Sequence, residues 1–159
     1  MKNKIGIIMG SISDKTTLEP AIDILKNLRI DYDLQVVSAH RTPDLLFSYA
    51  KKAHENYDAI IAAAGGSAHL PGMVASMTIL PVIGVPVKSR NLNGIDSLLS
   101  IVQMPSGVPV ATMAIGDSGA KNAALFCARI ISLYNVEVKK NLEAFINNQT
   151  QEVLEIEVD

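Results

Sequence analysis

Cysteine is nearly absent: the 159-residue chain carries one, Cys127, which excludes a disulfide within the chain. Cys127 falls in the apolar helical pattern "NAALFCARIISL", so a packed thiol in a reducing cytoplasm is expected. An excess of basic charge is missing too. Fourteen Lys and Arg stand against sixteen Asp and Glu, a formal net charge of −2, which gives no long-range attraction to nucleic acid or an anionic membrane. A small-molecule partner is the better expectation. Neither a Walker loop nor a GxGxxG fingerprint occurs, which argues against nucleoside triphosphates and dinucleotides. HExxH-type and cysteine-rich metal patterns are also lacking, and no metal is expected.

Uninterrupted apolar stretches are short. Residues 59–87 are almost uncharged, but Gly65, Gly66, His69, Pro71, Pro81 and Pro86 cut them into pieces shorter than the ~20 residues of a membrane-spanning helix. The opening "MKNKIGIIMG" has the basic-then-apolar order of a signal peptide. Its apolar part ends within five residues, at Gly10, and it reads as a first strand.

What remains are apolar runs of strand length: "IGIIM" (5–9), "LQVV" (34–37), "AIIAAA" (59–64), "PVIGV" (81–85) and "VPVATMA" (108–114). Runs without polar alternation predict strands buried on both faces of a parallel sheet. Helical patterns lie between them. Leu18, Ala21, Ile22, Leu25 and Leu28 share one face, with Ser13 or Asp14 as N-cap and Pro20 expected to kink or delay the helix. A second helix runs from about Pro43 to Glu55, where Thr42 can cap and Pro43 suits the first position. A third follows Leu70-Pro71 and a fourth follows Asp117-Ser118. The pattern predicts one α/β domain over residues 1–159, a three-layer sandwich around a central parallel sheet. Its size suffices to bury roughly 70% of the unfolded surface. From Val136 onward, Val138, Leu142, Phe145, Ile146 and Val153 form an apolar stripe. No later element covers it, so it folds back on its own domain or packs on a neighbouring subunit.

In open parallel sheets ligands bind beyond the carboxyl ends of the strands. After the first strand, "MGSISD" offers Gly10 for close approach, the hydroxyls of Ser11 and Ser13, the carboxylate of Asp14 and free helix amides. This suits a phosphate, and it equally suits a plain capped turn. After the second, "VVSAHRTPD" places Ser38, His40 and Arg41 together. There, Ser38 or Thr42 as cap and a solvated Arg41 form the alternative to a catalytic cluster. After the third, "AAAGGSAHLPG" brings Ala64, Gly65, Gly66, Ser67, His69 and Leu70; two adjacent glycines permit tight backbone approach to a flat ligand. All three loops emerge at the same sheet edge, which raises the functional reading above that of any one loop. His54, in "KKAHEN" near a helix end, reads as a solvated residue favoured by the helix dipole.

With these loops assembled, the sequence resembles the 5-(carboxyamino)imidazole ribonucleotide mutase (PurE) family. The resemblance runs from about Ile5 to Tyr134 through "MGSISD", "VVSAHRTPD", "GGSAHLPGM", "GVPV", "SIVQMPSGVPV" and "NAALFCARIISL". It implies a flavodoxin-like core over 1–134, and a C-terminal extension, 135–159, whose helix packs on a neighbouring subunit of a homo-octamer. The implied reaction belongs to de novo purine biosynthesis. It moves a carboxyl group from the exocyclic nitrogen of an aminoimidazole ribonucleotide to ring carbon 4, with no ATP, biotin or metal cofactor.

By motif position, Ser11, Ser13 and Arg41 would bind the ribose phosphate and Asp14 the ribose hydroxyls, with Ser38 in support. His40 would be the general acid and base, a task suited to an imidazole because its unperturbed pKa is ~6.5. Ala64, Gly65, Gly66, Ser67, His69 and Leu70 would wall the migrating carboxyl group. Animal-type relatives that use free carbon dioxide tend to carry lysine after the histidine and a different glycine loop. Arg41 and "GGSAHLPG" group this chain with the mutases. Ala63 departs from the glycine common in bacterial members, while Pro20 and Ser67 are milder differences. The remaining alternatives are a direct carboxylase and a non-catalytic nucleotide-binding module.

Overall fold

The computed structural model describes residues 2–158. Five strands, β1 (Lys4–Met9), β2 (Asp31–Val36), β3 (Ala59–Gly65), β4 (Val82–Val87) and β5 (Ala111–Thr112), form one sheet. All pair in parallel in the order β2-β1-β3-β4-β5, the flavodoxin-like order. Helices alternate with them: α1 (Lys15–Asn27), α2 (Pro43–Asn56), α3 (Leu70–Ala75), α4 (Ile95–Val102), α5 (Asp117–Ser132) and α6 (Val136–Leu154).

Side-chain alternation along the strands feeds two separate cores. Ile5, Ile7 and Met9 of β1 pack with Leu18 and Leu25 of α1, Ala123 and Cys127 of α5, and Val138 of α6. On the opposite face Ile8 joins Leu46 and Ala50 of α2, Val74 of α3 and Ile101 of α4. The expected three layers follow. Every residue of β4, and of β3 up to Ala64, is buried, as uninterrupted apolar runs require. Cys127 is wholly buried, and burial pushes its thiol pKa up.

The second strand differs from expectation. It starts at Asp31 rather than Leu34 and alternates in exposure over Asp31–Leu34, because it is an outer strand, paired only with β1. Val37, just beyond it, is the buried member of the "LQVV" run. The fifth strand is two residues long, Ala111–Thr112, and Pro109, which cannot donate to a ladder, keeps it from starting earlier. Isolated bonds from Met113 N to Gly84 O (2.9 Å) and from Gly116 N to Pro86 O (2.9 Å) keep the chain beside β4. The first helix buries the predicted face, Leu18, Ala21, Ile22, Leu25 and Leu28. It runs through Pro20 without a break. Only the bond Pro20 would have donated is forfeited.

Helix α4 was not anticipated. It follows Gly94, at φ +93°, with no capping side-chain bond, so the usual polar start signal is absent. The stripe on α6 divides. Val138 and Leu142 fold back into the first core, whereas Ile146 is 38% and Val153 67% exposed. Asn135 caps this helix, its Oδ1 accepting from Glu137 N at 3.0 Å and Val138 N at 3.1 Å. His54 is exposed in the last turn of α2, in keeping with a solvated residue.

Candidate active site

The first loop builds itself from its own hydroxyls. A short 3-10 turn, Ile12–Asp14, precedes α1 and is capped by Ser11; Asp14 stands at the N-cap position of α1 as expected, but its carboxylate makes no capping bond to that helix. Ser13 N donates to Ser11 Oγ at 3.4 Å, and Ser11 N donates to Asp14 Oδ2 at 3.2 Å, a reciprocal capping box. Ser13 Oγ lies 2.9 Å from Ser11 Oγ, which brings both hydroxyls together. Asp14 is 8% exposed. Burial raises its carboxyl pKa, opposed by the Ser11 amide, the Ser13 hydroxyl and the Arg41 charge.

The second loop is tied to the first through Arg41. Its Nη2 donates to Gly10 O at 2.6 Å, and its Nε donates to Ser38 Oγ at 3.2 Å. Ser38 is buried, and its backbone holds the Thr42 hydroxyl from both sides, at 3.0 Å each. Thr42 occupies the N-cap position of α2, yet its hydroxyl makes no capping bond to the helix, for that reason. Pro43 takes the first helical turn as expected. Arg41 thus has two of five guanidinium donors engaged and three left for a ligand.

The third loop turns at Gly66, whose φ of +68° lies in the left-handed region, where a side chain is strained. Its N–H donates to Ser97 Oγ at 2.8 Å. His69 opens α3, and its Nδ1 lies 2.8 Å from His40 Nε2, with the rings nearly perpendicular at 79°. A contact between two ring nitrogens requires one to carry the hydrogen and the other a lone pair. The pair therefore holds one shared hydrogen between the second and third loops.

These loops enclose a cavity of about 340 Å³. Ser11, Ser13, Asp14, Ser38, His40, Arg41, Ala64, Gly65, Gly66, Ser67, His69 and Leu70 all line it. Sequence reasoning missed Ala39, Val87, Lys88 and Ser89, which line it as well. The rule applied to three strands would have found the last three, since Lys88 and Ser89 follow β4 as the other loops follow theirs. Among the described residues no group of three or more His, Cys, Asp or Glu side chains could hold a metal ion, and no helix is long and apolar enough to cross a membrane.

A flavodoxin-like sheet with hydroxyls, a guanidinium and an imidazole pair at its carboxyl edge defines an α/β protein built to hold a small anionic ligand. More specifically, the chain belongs to the AIR carboxylase family, whose model matches residues 4–152. It is 56% identical to a Bacillus subtilis protein over 98% of this chain and 96% of that one, and 54% identical to an Escherichia coli protein over 96% and 90%. Both relatives are named N5-carboxyaminoimidazole ribonucleotide mutase. The solved structure of Treponema denticola PurE superimposes with a TM-score of 0.85 at 33% identity, covering 96% of this chain and 94% of its own. A 3-dehydroquinate dehydratase-like protein from Bifidobacterium longum shares the fold alone, with a TM-score of 0.52 at 15% identity, covering 83% of this chain and 99% of its own.

Proposed function

We propose that this protein is an N5-carboxyaminoimidazole ribonucleotide mutase, an isomerase of de novo purine biosynthesis that yields 4-carboxy-5-aminoimidazole ribonucleotide. The observation that carries the reading is the single cavity in which the Ser11, Ser13 and Arg41 donors face the His40–His69 pair and the glycine loop. The relatives' shared name supports the substrate. Phosphate is held by Ser11, Ser13 and Arg41, the ribose hydroxyls by Asp14, and Ser38 braces Arg41.

His40 gives a proton to the exocyclic nitrogen as its bond to the carboxyl carbon breaks and carbon dioxide forms. Ring carbon 4 then bonds to that carbon dioxide, and the proton it sheds returns to His40. Atoms and charge balance without an external reagent, and no cofactor is invoked. Hydrogen bonding to His69 orients the His40 ring through both steps. Ala64, Gly65, Gly66, Ser67 and Leu70 exclude water around the carbon dioxide.

The reading includes one domain over residues 1–159, comprising a core (1–134) and an extension (135–159). It also includes a cytoplasmic homo-octamer in which the exposed distal part of α6, with Val153 and Leu154 at 67% and 71% exposure, packs on a neighbour. The test supplies purified protein separately with the carboxyamino ribonucleotide and with aminoimidazole ribonucleotide plus bicarbonate. Efficient turnover of the first alone is expected. Turnover of the second alone would make it a direct carboxylase, and turnover of neither a binding module.

A further inference from the structure

Ser97 is the one polar side chain among the described residues that is wholly buried, at 0% exposure, and it lies outside the cavity lining. Its hydroxyl donates to Val87 O at 2.7 Å and accepts from Gly66 N at 2.8 Å. It therefore stitches the end of β4 to the left-handed glycine of the third loop. The segment that carries it is itself braced. Ser89 Oγ donates to Asp96 Oδ1 at 2.6 Å and accepts from Gly94 N at 3.1 Å, which closes residues 89–96 into a fixed loop running into α4.

We infer that Ser97 is a positioning residue for carboxyl transfer: by holding the Gly66 amide away from the cavity, it keeps the glycine loop closed over the migrating carbon dioxide. This rests on the functional reading above. Gly66 has nothing within 4 Å of where its Cβ would be, so side-chain packing does not hold it. Its fixed points are hydrogen bonds to α4: the N–H donates to Ser97 Oγ at 2.8 Å and the carbonyl accepts from Ser100 Oγ at 3.3 Å; of these two hydroxyls, Ser97 is the one that continues to the end of β4, at Val87 O. Without the hydroxyl, the Gly66 N–H and the Val87 carbonyl lose a buried partner. The loop then regains water for its amide by lifting off the cavity, which opens a path for carbon dioxide to leave.

The test follows the isotopically labelled carboxylate of the carboxyamino substrate into product in the presence of excess unlabelled bicarbonate. The unmodified protein retains most of the label. Ser97→Ala is expected to lose more than half of it, with kcat lowered roughly 10–100-fold and ribonucleotide affinity little changed. Ser97→Cys keeps the shape with a weaker donor and acceptor; it gives an intermediate loss and serves should the alanine variant fail to fold. Slower turnover with full retention in either variant would overturn the inference and leave Ser97 a structural residue only. Label loss by the unmodified protein would overturn it as well. No turnover by the unmodified protein would instead sink the functional reading and this inference together.

Discussion

Replacing Arg41 by methionine removes the guanidinium while keeping most of the stem. In the free protein this group bridges Gly10 O at 2.6 Å and Ser38 Oγ at 3.2 Å, and the side chain is otherwise exposed. The stability cost is therefore small, about 1 kcal/mol, or a fall of roughly 2–4 °C in Tm. The cost to binding is larger. A charge-assisted hydrogen bond contributes about 1.5–3 kcal/mol, and two such bonds to a phosphate contribute at least about 3 kcal/mol. With about 1.4 kcal/mol per factor of ten, the Michaelis constant for the ribonucleotide rises roughly 100-fold. Steady-state kinetics with the carboxyamino substrate give both constants, and competition by ribose 5-phosphate reports the phosphate contact separately. Because the phosphate lies away from the reacting carbon, kcat falls much less than affinity. An unchanged Michaelis constant with a collapsed kcat would refute the reasoning and put Arg41 at the reacting end.

Two further changes probe the frame of the site. Burial raises the Asp14 carboxyl pKa, so the folded chain keeps a proton that the unfolded chain has already released just above about pH 4. Stability falls as pH rises from the ordinary carboxylate range through the raised folded-state value. Asp14→Asn, which keeps an acceptor for Ser11 N, should therefore raise Tm more at about pH 7 than at about pH 3 while weakening ribonucleotide binding; an equal shift at both would contradict this. A Cβ on Gly6 would collide with the Tyr49 hydroxyl and crowd the Tyr57 ring, 2.9 Å away, on the α2 side of the sheet. Gly6→Ala should cost about 1–3 kcal/mol by denaturant melting, and an unchanged midpoint would show that Tyr49 and Tyr57 yield freely.

The sheet was legible where burial is symmetric. "AIIAAA" and "PVIGV" lie within or overlap β3 and β4, which have core on both sides, and their composition records that. "LQVV" misled because an outer strand is covered on one side only, and its true start, Asp31-Tyr32-Asp33, reads as loop composition. Helix α4 escaped because Gly94 begins it without a polar cap. At the site, residue types adjacent in sequence were readable as clusters, and the sheet-edge rule brought those clusters together. The partnerships were not readable. The His40–His69 contact spans 29 positions and the Ser97–Gly66 bond 31; the first depends on how β2 and β3 are set on either side of β1, and the second on how α4 docks beside the end of β3. Thr42 shows the same limit locally, since nothing in "SAHRTP" reveals that its hydroxyl turns back to Ser38 rather than to the helix.

The most direct test of the central claim is turnover and binding by His40→Asn measured on the same preparation. Asparagine keeps a hydrogen-bonding side chain beside His69 and removes the proton carrier. Turnover of the carboxyamino ribonucleotide should fall by roughly 10²–10⁴-fold, while affinity for the ribonucleotide, proposed to rest on Ser11, Ser13 and Arg41, should stay within a few-fold. Turnover close to that of the unmodified protein would contradict the account and remove the proton from His40.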